Sequence, residues 1–349
     1  MGTLRRTWWY ADAGRKSPER SPLANPAMSA NPPTQAAGHG SRRFRRDDGI
    51  FFHADDMGAT PKVTARLCDA WERGLLDSFS IFGDCDHPEA IATRLQERPE
   101  MPARISAHLN LWEGRPLTVA AGLTRLVDRS GNFNAEFLAL LAGCHLGGTS
   151  RGRDELLAQV EREWRAQIEN VLKMIAARPL KALDGHIHVH MVPTLFRLAV
   201  KLAREYGIPE VRNVREPFYL SRNIRECLTK RFLSNCLKRQ VLSACAELNT
   251  RIAVDAGLRS PDGMLGVLYS GMMSRANIVS GIVAARRHGA KRIEVLVHIG
   301  RAEPSEIGRW NGKPRRAAFV LSPSRDAEFE ELIRLRRPRS LAAPDRPAS

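Results

Sequence analysis

The chain contains no Cys-x-x-Cys pair: its six cysteines (Cys68, Cys85, Cys144, Cys227, Cys236 and Cys245) are scattered. That pattern excludes a zinc ribbon and a disulfide-stapled scaffold, and fits reduced thiols in the cytoplasm. No uninterrupted apolar run approaches the ~20 residues that a membrane-spanning helix needs, so a soluble protein is expected. The N-terminus lacks the charged, apolar and small-residue order of a secretory signal. Acidic residues are scarce beside basic ones, 38 against 54, which leaves a formal net charge of +16. Such a balance suits nucleic acid, an anionic membrane surface or an acidic substrate. Much of the excess, however, sits in the run Arg42-Arg43-Phe44-Arg45-Arg46 and around Arg336, Arg337 and Arg339, which read as solvated segments. No recognisable nucleic-acid module accompanies them, so no nucleic-acid partner is expected.

What is present is enough for one large α/β unit. With 349 residues, 43% of them hydrophobic, the chain accommodates a barrel-sized domain plus tails. Residues 1–46, rich in Pro, Ser, Arg and Ala, are expected to be a disordered basic extension. The folded unit is placed at 47–335, with a helical insert at about 218–250, and 336–349 as a basic tail. Ile50–Ala54 reads as a strand running into Asp55-Asp56-Met57-Gly58, followed by Thr60 as N-cap and Pro61 at the first position of a helix. Ser78–Phe82, Arg104–Leu111, Pro209–Val214 and Lys291–His298 read as further strands. Pro88–Gln96, Glu155–Ala176, Leu195–Tyr206 and Asn277–His288 read as helices, and Trp112–Arg153 as a loop region. Strands alternating with helices imply a parallel sheet, and in such folds chemistry gathers at the carboxyl ends of the strands.

The richest segment is Asp184-Gly185-His186-Ile187-His188-Val189-His190. Taken as a strand end, it puts three imidazoles on one face, an arrangement that a metal or a polar substrate would explain. Taken singly, Asp55-Asp56 reads as a capping pair at a turn, and His108 and His298 as satisfied core or edge histidines. Jointly they all fall near carboxyl ends of strands. One carboxylate and two imidazoles offer three ligands to a divalent metal with positions left open, the pattern of a catalytic site. The second aspartate is then free as a base, and a histidine on the opposite side can protonate a leaving group. These parts suit hydrolysis of an amide.

Three motifs together resemble the YdjC-type carbohydrate deacetylases, which include chitooligosaccharide deacetylases and hopanoid-associated deacetylases. They are His53-Ala54-Asp55-Asp56-Met57-Gly58, His108-Leu109-Asn110-Leu111 with Glu113-Gly114-Arg115-Pro116-Leu117, and Asp184–His190. Ser130–Phe133, Val211–Glu216, Val297-His298 and Arg325 match as well, so that the resemblance spans roughly 48–335. It implies a distorted TIM-like (β/α) barrel related to polysaccharide deacetylases, acting on an N-acetylated amino sugar in an oligosaccharide or glycolipid. By motif, Asp56, His108 and His186 are the implied metal ligands, Asp55 the general base and His298 the acid. His188, His190, Arg212 and Arg215 are the implied substrate-side or supporting residues. Magnesium is the implied ion, while two imidazoles and a carboxylate also suit zinc, manganese or nickel. The chain departs from the family pattern at His53, usually Asn, at Gly185, usually Ser, and at Ile299, usually Pro.

Residues 222–248 form a basic amphipathic pattern, with Ile224, Leu228, Phe232, Leu237 and Val241 on one side and Arg225, Lys230, Arg231, Lys238 and Arg239 largely elsewhere. This is either a surface helix packed on the barrel or one lying on an anionic bilayer, which would put the cleft over a lipid-linked sugar. A homodimer is a further expected partner state. Two alternatives stay open: a metallohydrolase of another amide or of a phosphoester, and a non-catalytic sugar- or lipid-binding protein on the same barrel.

Overall fold

In the computed structural model, which describes residues 48–99, 104–145 and 149–336, the first strand β1 (Ile50–Met57) is embedded almost throughout, as a central parallel strand requires. It turns into α1 (Pro61–Glu72), where Thr60 Oγ1 accepts from Val63 N at 3.2 Å and Pro61 fills the first turn, as the sequence predicts. Then come β2 (Ser78–Phe82), α2 (Pro88–Gln96) and β3 (Arg104–Leu109). The expected loop at 112–153 contains α3 (Phe137–His145), whose apolar run the surrounding Gly and Asn obscured. α4 (Ser150–Ile175) begins before the expected Glu155 because Thr149 caps Gly152 N. The chain continues through β4 (Leu180–Gly185), α5 (Pro193–Glu205), α6 (Ile224–Cys227) and α7 (Lys230–Asp255). It ends with β5 (Gly263–Leu265), α8 (Arg275–Arg287), β6 (Ile293–Val297), α9 (Pro314–Val320) and α10 (Ser324–Leu335).

All six strands are parallel, in the order β4-β3-β2-β1-β6-β5. Segment Pro209–Val214, expected as a strand, forms only isolated bridges, yet it and the following Arg215 touch both edges of the sheet. Leu183 N donates to Glu210 O and Arg212 N to Leu183 O on the β4 side, while Val211 N donates to Arg259 O and Met264 N to Arg215 O on the β5 side. The sheet is thus curled, its edges joined through one irregular stave. A regular eight-stranded barrel is not formed among the described residues. α4 packs on α2 and against β2 and β3, and α5 packs on α7. Each fully buried Leu, Ile or Phe contributes about 1.5–3 kcal/mol, and this core offsets the charged groups buried at the carboxyl end of the sheet.

Two expectations are corrected. The histidine run is not a strand end: pairing with β3 stops at Gly185, and His186–Met191 is a short 3-10 segment with Ile187 at φ 46° and His188 at φ 63°. A side chain at Gly185 would meet His190 Nδ1 at 2.5 Å, so glycine permits the chain to fold back with the His190 ring against it. His186, His188 and His190 therefore do not share a face. Arg336, expected to open a solvated tail, is buried and grips Asp77 with both guanidinium nitrogens at 2.7 and 2.8 Å, its guanidinium lying 5.3 Å from the centre of the Phe52 ring. The expected extension at 1–46, its arginine run and the remaining tail at 337–349 lie outside the described residues. No helix among the described residues is long and apolar enough to cross a membrane.

Because Arg336 ties the end of α10 to Asp77 at the start of β2 with charge-assisted bonds, Arg336→Ala should cost about 2 kcal/mol of stability, read as a lower urea midpoint.

Candidate metal and catalytic centre

The register of β1 shifts between Ala54 and Met57, and Asp56 takes φ 76°, a conformation rare for any residue but glycine. The irregularity sends the two adjacent carboxylates to different neighbours. Asp56 Oδ1 faces His108 Nε2 at 3.8 Å, from the end of β3, and His186 Nδ1 at 3.5 Å, just beyond β4. The two imidazole nitrogens are 3.2 Å apart, and all three side chains are buried. Each imidazole is held from behind by a carboxylate: His108 Nδ1 lies 2.6 Å from Asp184 Oδ1, and His186 Nε2 lies 3.0 Å from Glu113 Oε2. Phe82 and Trp112 pack against the rings. With His108 Nδ1 bonded to Asp184 and His186 Nε2 facing Glu113, the near nitrogens are left toward the point they share with Asp56 Oδ1, as histidines are oriented toward a metal. The three donor atoms fall within 4.8 Å of one another, so the set could hold one divalent ion.

The other oxygen of Asp56 is spoken for by Arg316 Nη2 at 3.0 Å and by Arg325 Nη1 and Nη2 at 3.2 Å each. Burial opposes ionisation of Asp56, but Arg316 foremost among its partners holds the carboxyl well below the usual range. Glu113 is likewise lowered against its burial, by His186 and then Arg316. His108 is raised despite burial, chiefly by the Asp55 charge.

Asp55 belongs to a second, adjoining cluster. Arg212 Nη1 and Nη2 donate to its two oxygens at 3.2 and 3.0 Å, and Ser80 Oγ donates to Oδ1 at 2.9 Å. The same guanidinium reaches Asp184 at 3.1 Å and Glu294 at 2.7 Å. His53 sits beneath, Nε2 3.1 Å from Asp55 Oδ1 and Nδ1 2.7 Å from Ser78 Oγ. Against the pull of burial, Arg212 keeps Asp55 well below the ordinary carboxylate range, and Asp184 is lowered in the same way.

The remaining expected residues are placed unequally. His298 follows β6, half-buried, its ring edge-on to Phe319 and its Nδ1 without a hydrogen-bond partner among the described residues. Burial pushes it down to about 3, so it is neutral at rest. Ile299 points into the core, and Arg325 Nε donates to Gly300 O at 2.6 Å, which fixes the loop where proline was usual. His190 is a scaffold residue: wholly buried, stacked on Phe196, its Nε2 donating to Arg212 O at 2.9 Å. His188 is buried too, with burial and then Lys238 keeping it neutral. Arg212 is buried among carboxylates and donates to both oxygens of Asp55. Arg215 is not brought to the centre at all: it is exposed and lines a surface cleft with Arg239, Asp262 and His288. Arg316 and Glu294 carried no signal in the sequence reading. Glu113, Asp184 and Arg325 stood within the quoted motifs and were open to assignment as partners of the two histidines and Asp56.

The family model for YdjC-like protein matches residues 49–339, and the chain belongs to that family. A curated carbohydrate deacetylase from Listeria monocytogenes serotype 4a (strain HCC23) is 30% identical over 159 residues, 46% of this chain and 58% of the Listeria protein. The match thus spans little more than half of that relative. A human carbohydrate deacetylase is 30% identical over 240 residues, 66% of this chain and 67% of the human protein. Among solved structures, an Enterococcus faecalis V583 protein described as a cellobiose-phosphate cleavage protein superposes with a TM-score of 0.52. It is 23% identical over 81% of this chain and 94% of its own, a likeness of fold.

The donor set predicts that zinc or manganese at a hundredfold excess over its Kd raises the stability of the protein by about 2.7 kcal/mol, and that His108→Ala and His186→Ala abolish the rise in melting temperature. An unfolded chain protonates His190 below about pH 6.5, whereas burial holds the folded residue down to about 4. The folded state thus loses stability as pH falls through that window, and His190→Gln should flatten the decline in melting temperature between those limits.

Proposed function

We propose that this protein is a divalent-metal-dependent hydrolase that removes the N-acetyl group from an amino sugar in an oligosaccharide or glycolipid. The observation that carries this reading is the convergence of Asp56, His108 and His186 on one point beside an ionised Asp55. Family membership and the names of the curated relatives support the substrate class. Asp56, His108 and His186 would hold the ion, with Asp184 and Glu113 fixing the imidazoles. When bound, such an ion lowers the pKa of water and polarises the acetyl carbonyl. Asp55, aimed by Arg212 and Ser80, accepts the proton of the attacking water. The new C–O bond forms as the C–N bond breaks, giving acetate and the free amine. His298 donates to the leaving nitrogen, and because burial keeps it neutral at rest, a proton must reach it during turnover.

Magnesium is our first assignment for the ion, and a site with two nitrogens and one oxygen suits zinc or manganese equally well in chemistry. We take the curled sheet as the distorted (β/α) barrel of the polysaccharide-deacetylase kind, and hopanoid-linked N-acetylglucosamine as one glycolipid candidate. A homodimer and contact with an anionic membrane complete the proposed partners.

Acetate release from N-acetylated chitooligosaccharides and from N-acetylglucosamine glycolipids tests the reading. The metal-loaded wild type should release acetate from at least one class, and Asp55→Ala should lower the rate by about two to four orders of magnitude while still binding the ion. A fully active Asp55→Ala variant, or a metal-loaded wild type inert on both classes, would overturn it.

A further inference from the structure

α7 has two apolar faces. Phe232, Leu242, Cys245, Ala246 and Ala253 turn inward. On the other side Leu233, Leu237, Ala244 and Leu248 are exposed, with Val241 half-buried among them. At 3.6 residues per turn these five fall within an arc of about 80°, its centre about 150° from that of the buried set. Ahead of the helix Leu220, Ile224 and Leu228 are exposed as well, and Leu228 and Leu237 are 76% and 71% exposed. A helix that only capped the sheet would keep that side polar.

The ridge lies on the same end of the molecule as the site. Arg231 Nη1 donates to Gly271 O and Asn235 Nδ2 to Leu268 O, in the loop beyond the carboxyl end of β5. Asn249 Nδ2 donates to Met191 O, in the segment that carries His186. The flanks are cationic: Arg222, Arg225, Lys230, Arg231 and Lys238 are exposed. Glu226 is the lone acid from 217 to 246, and its carboxylate is turned to Asn223 and Asn277. A second copy seated on this ridge by a twofold axis would bring these like charges together. An anionic bilayer instead complements them, taking the leucines into its interface and the cations among its headgroups.

We propose that the ridge formed by Leu220, Ile224, Leu228, Leu233, Leu237 and Leu248 docks this protein on an anionic lipid bilayer, with the site facing the membrane surface. That the docked site works on amino sugars carried by lipids rests on the deacetylase reading; the docking does not.

Co-sedimentation of the full chain with vesicles tests it. The wild type should bind mixed phosphatidylcholine–phosphatidylglycerol vesicles about tenfold more tightly than phosphatidylcholine alone, and less tightly as salt rises. The double variant Leu233→Glu/Leu237→Glu should lose about tenfold in binding to the mixed vesicles, with melting temperature and acetate release from a soluble chitooligosaccharide unchanged. Absence of binding to the mixed vesicles would overturn the proposal. So would full binding by the double variant, which would move the contact to cations elsewhere. A wild-type dimer that the double variant converts to monomers would assign the ridge to a second copy instead. Vesicle binding without hydrolysis of any acetylated sugar would sink the deacetylase reading and leave the docking standing.

Discussion

Neutralising charge in a dry place is the constraint on which this structure turns. Asp55, Asp56, Asp84, Glu113 and Asp184 are buried at or beyond the carboxyl ends of their strands, and Glu294, low on β6, is buried beside Arg212. Four guanidiniums reach into them: Arg212, Arg309, Arg316 and Arg325. These six carboxylates outnumber the four guanidiniums, and uncompensated charge in such surroundings costs several kcal/mol per ion. A divalent cation between Asp56, His108 and His186 would offset the excess. Without one, protons on imidazoles must serve, which agrees with the upward push on His108.

The same bookkeeping explains why the chain wraps so far to complete its centre. Arg316 comes from α9 and Arg325 from α10, both long after the last strand, and each bonds Asp56. α10 in turn is tied back to the start of central strand β2 by Arg336 and Asp77. Folding and site formation are therefore coupled: the segment that braces the amino end of the sheet also delivers a counter-ion. The departures from the family pattern are accommodated in kind. His53 bonds Ser78 and lies beside Asp55, Gly185 makes room for the His190 ring, and Ile299 fills the core below His298.

Much of the centre was legible in the sequence because parallel sheets collect the ends of their strands, so Asp56 near the end of β1, His108 near the end of β3 and His186 after β4 had to approach one another. Local signals fixed β2, α2 and the Thr60-Pro61 start of α1 for similar reasons. The histidine run misled because alternation is the signature of a strand, while the left-handed backbone at Ile187 and His188 leaves no mark in residue types that are neither Gly nor Asn. Arg316 and Glu294 were hidden because a charged residue in a basic chain reads as surface until its buried partner is known. The Pro209–Val214 stave was half-legible: its composition is that of a strand, but it pairs only through isolated bridges. The faces of α7 were half-legible: the sequence groups Phe232 with Leu237 and Val241, whereas Phe232 is buried and the other two face outward, because apolar residues on two sides of a helix blur its pattern.

Anomalous scattering from a crystal soaked in manganese addresses the central claim most directly. The account predicts one strong peak bounded by Asp56 Oδ1, His108 Nε2 and His186 Nδ1, with Arg316 and Arg325 still on the other oxygen of Asp56. A manganese peak at some other set of residues, with those three donors left in mutual contact, would contradict it.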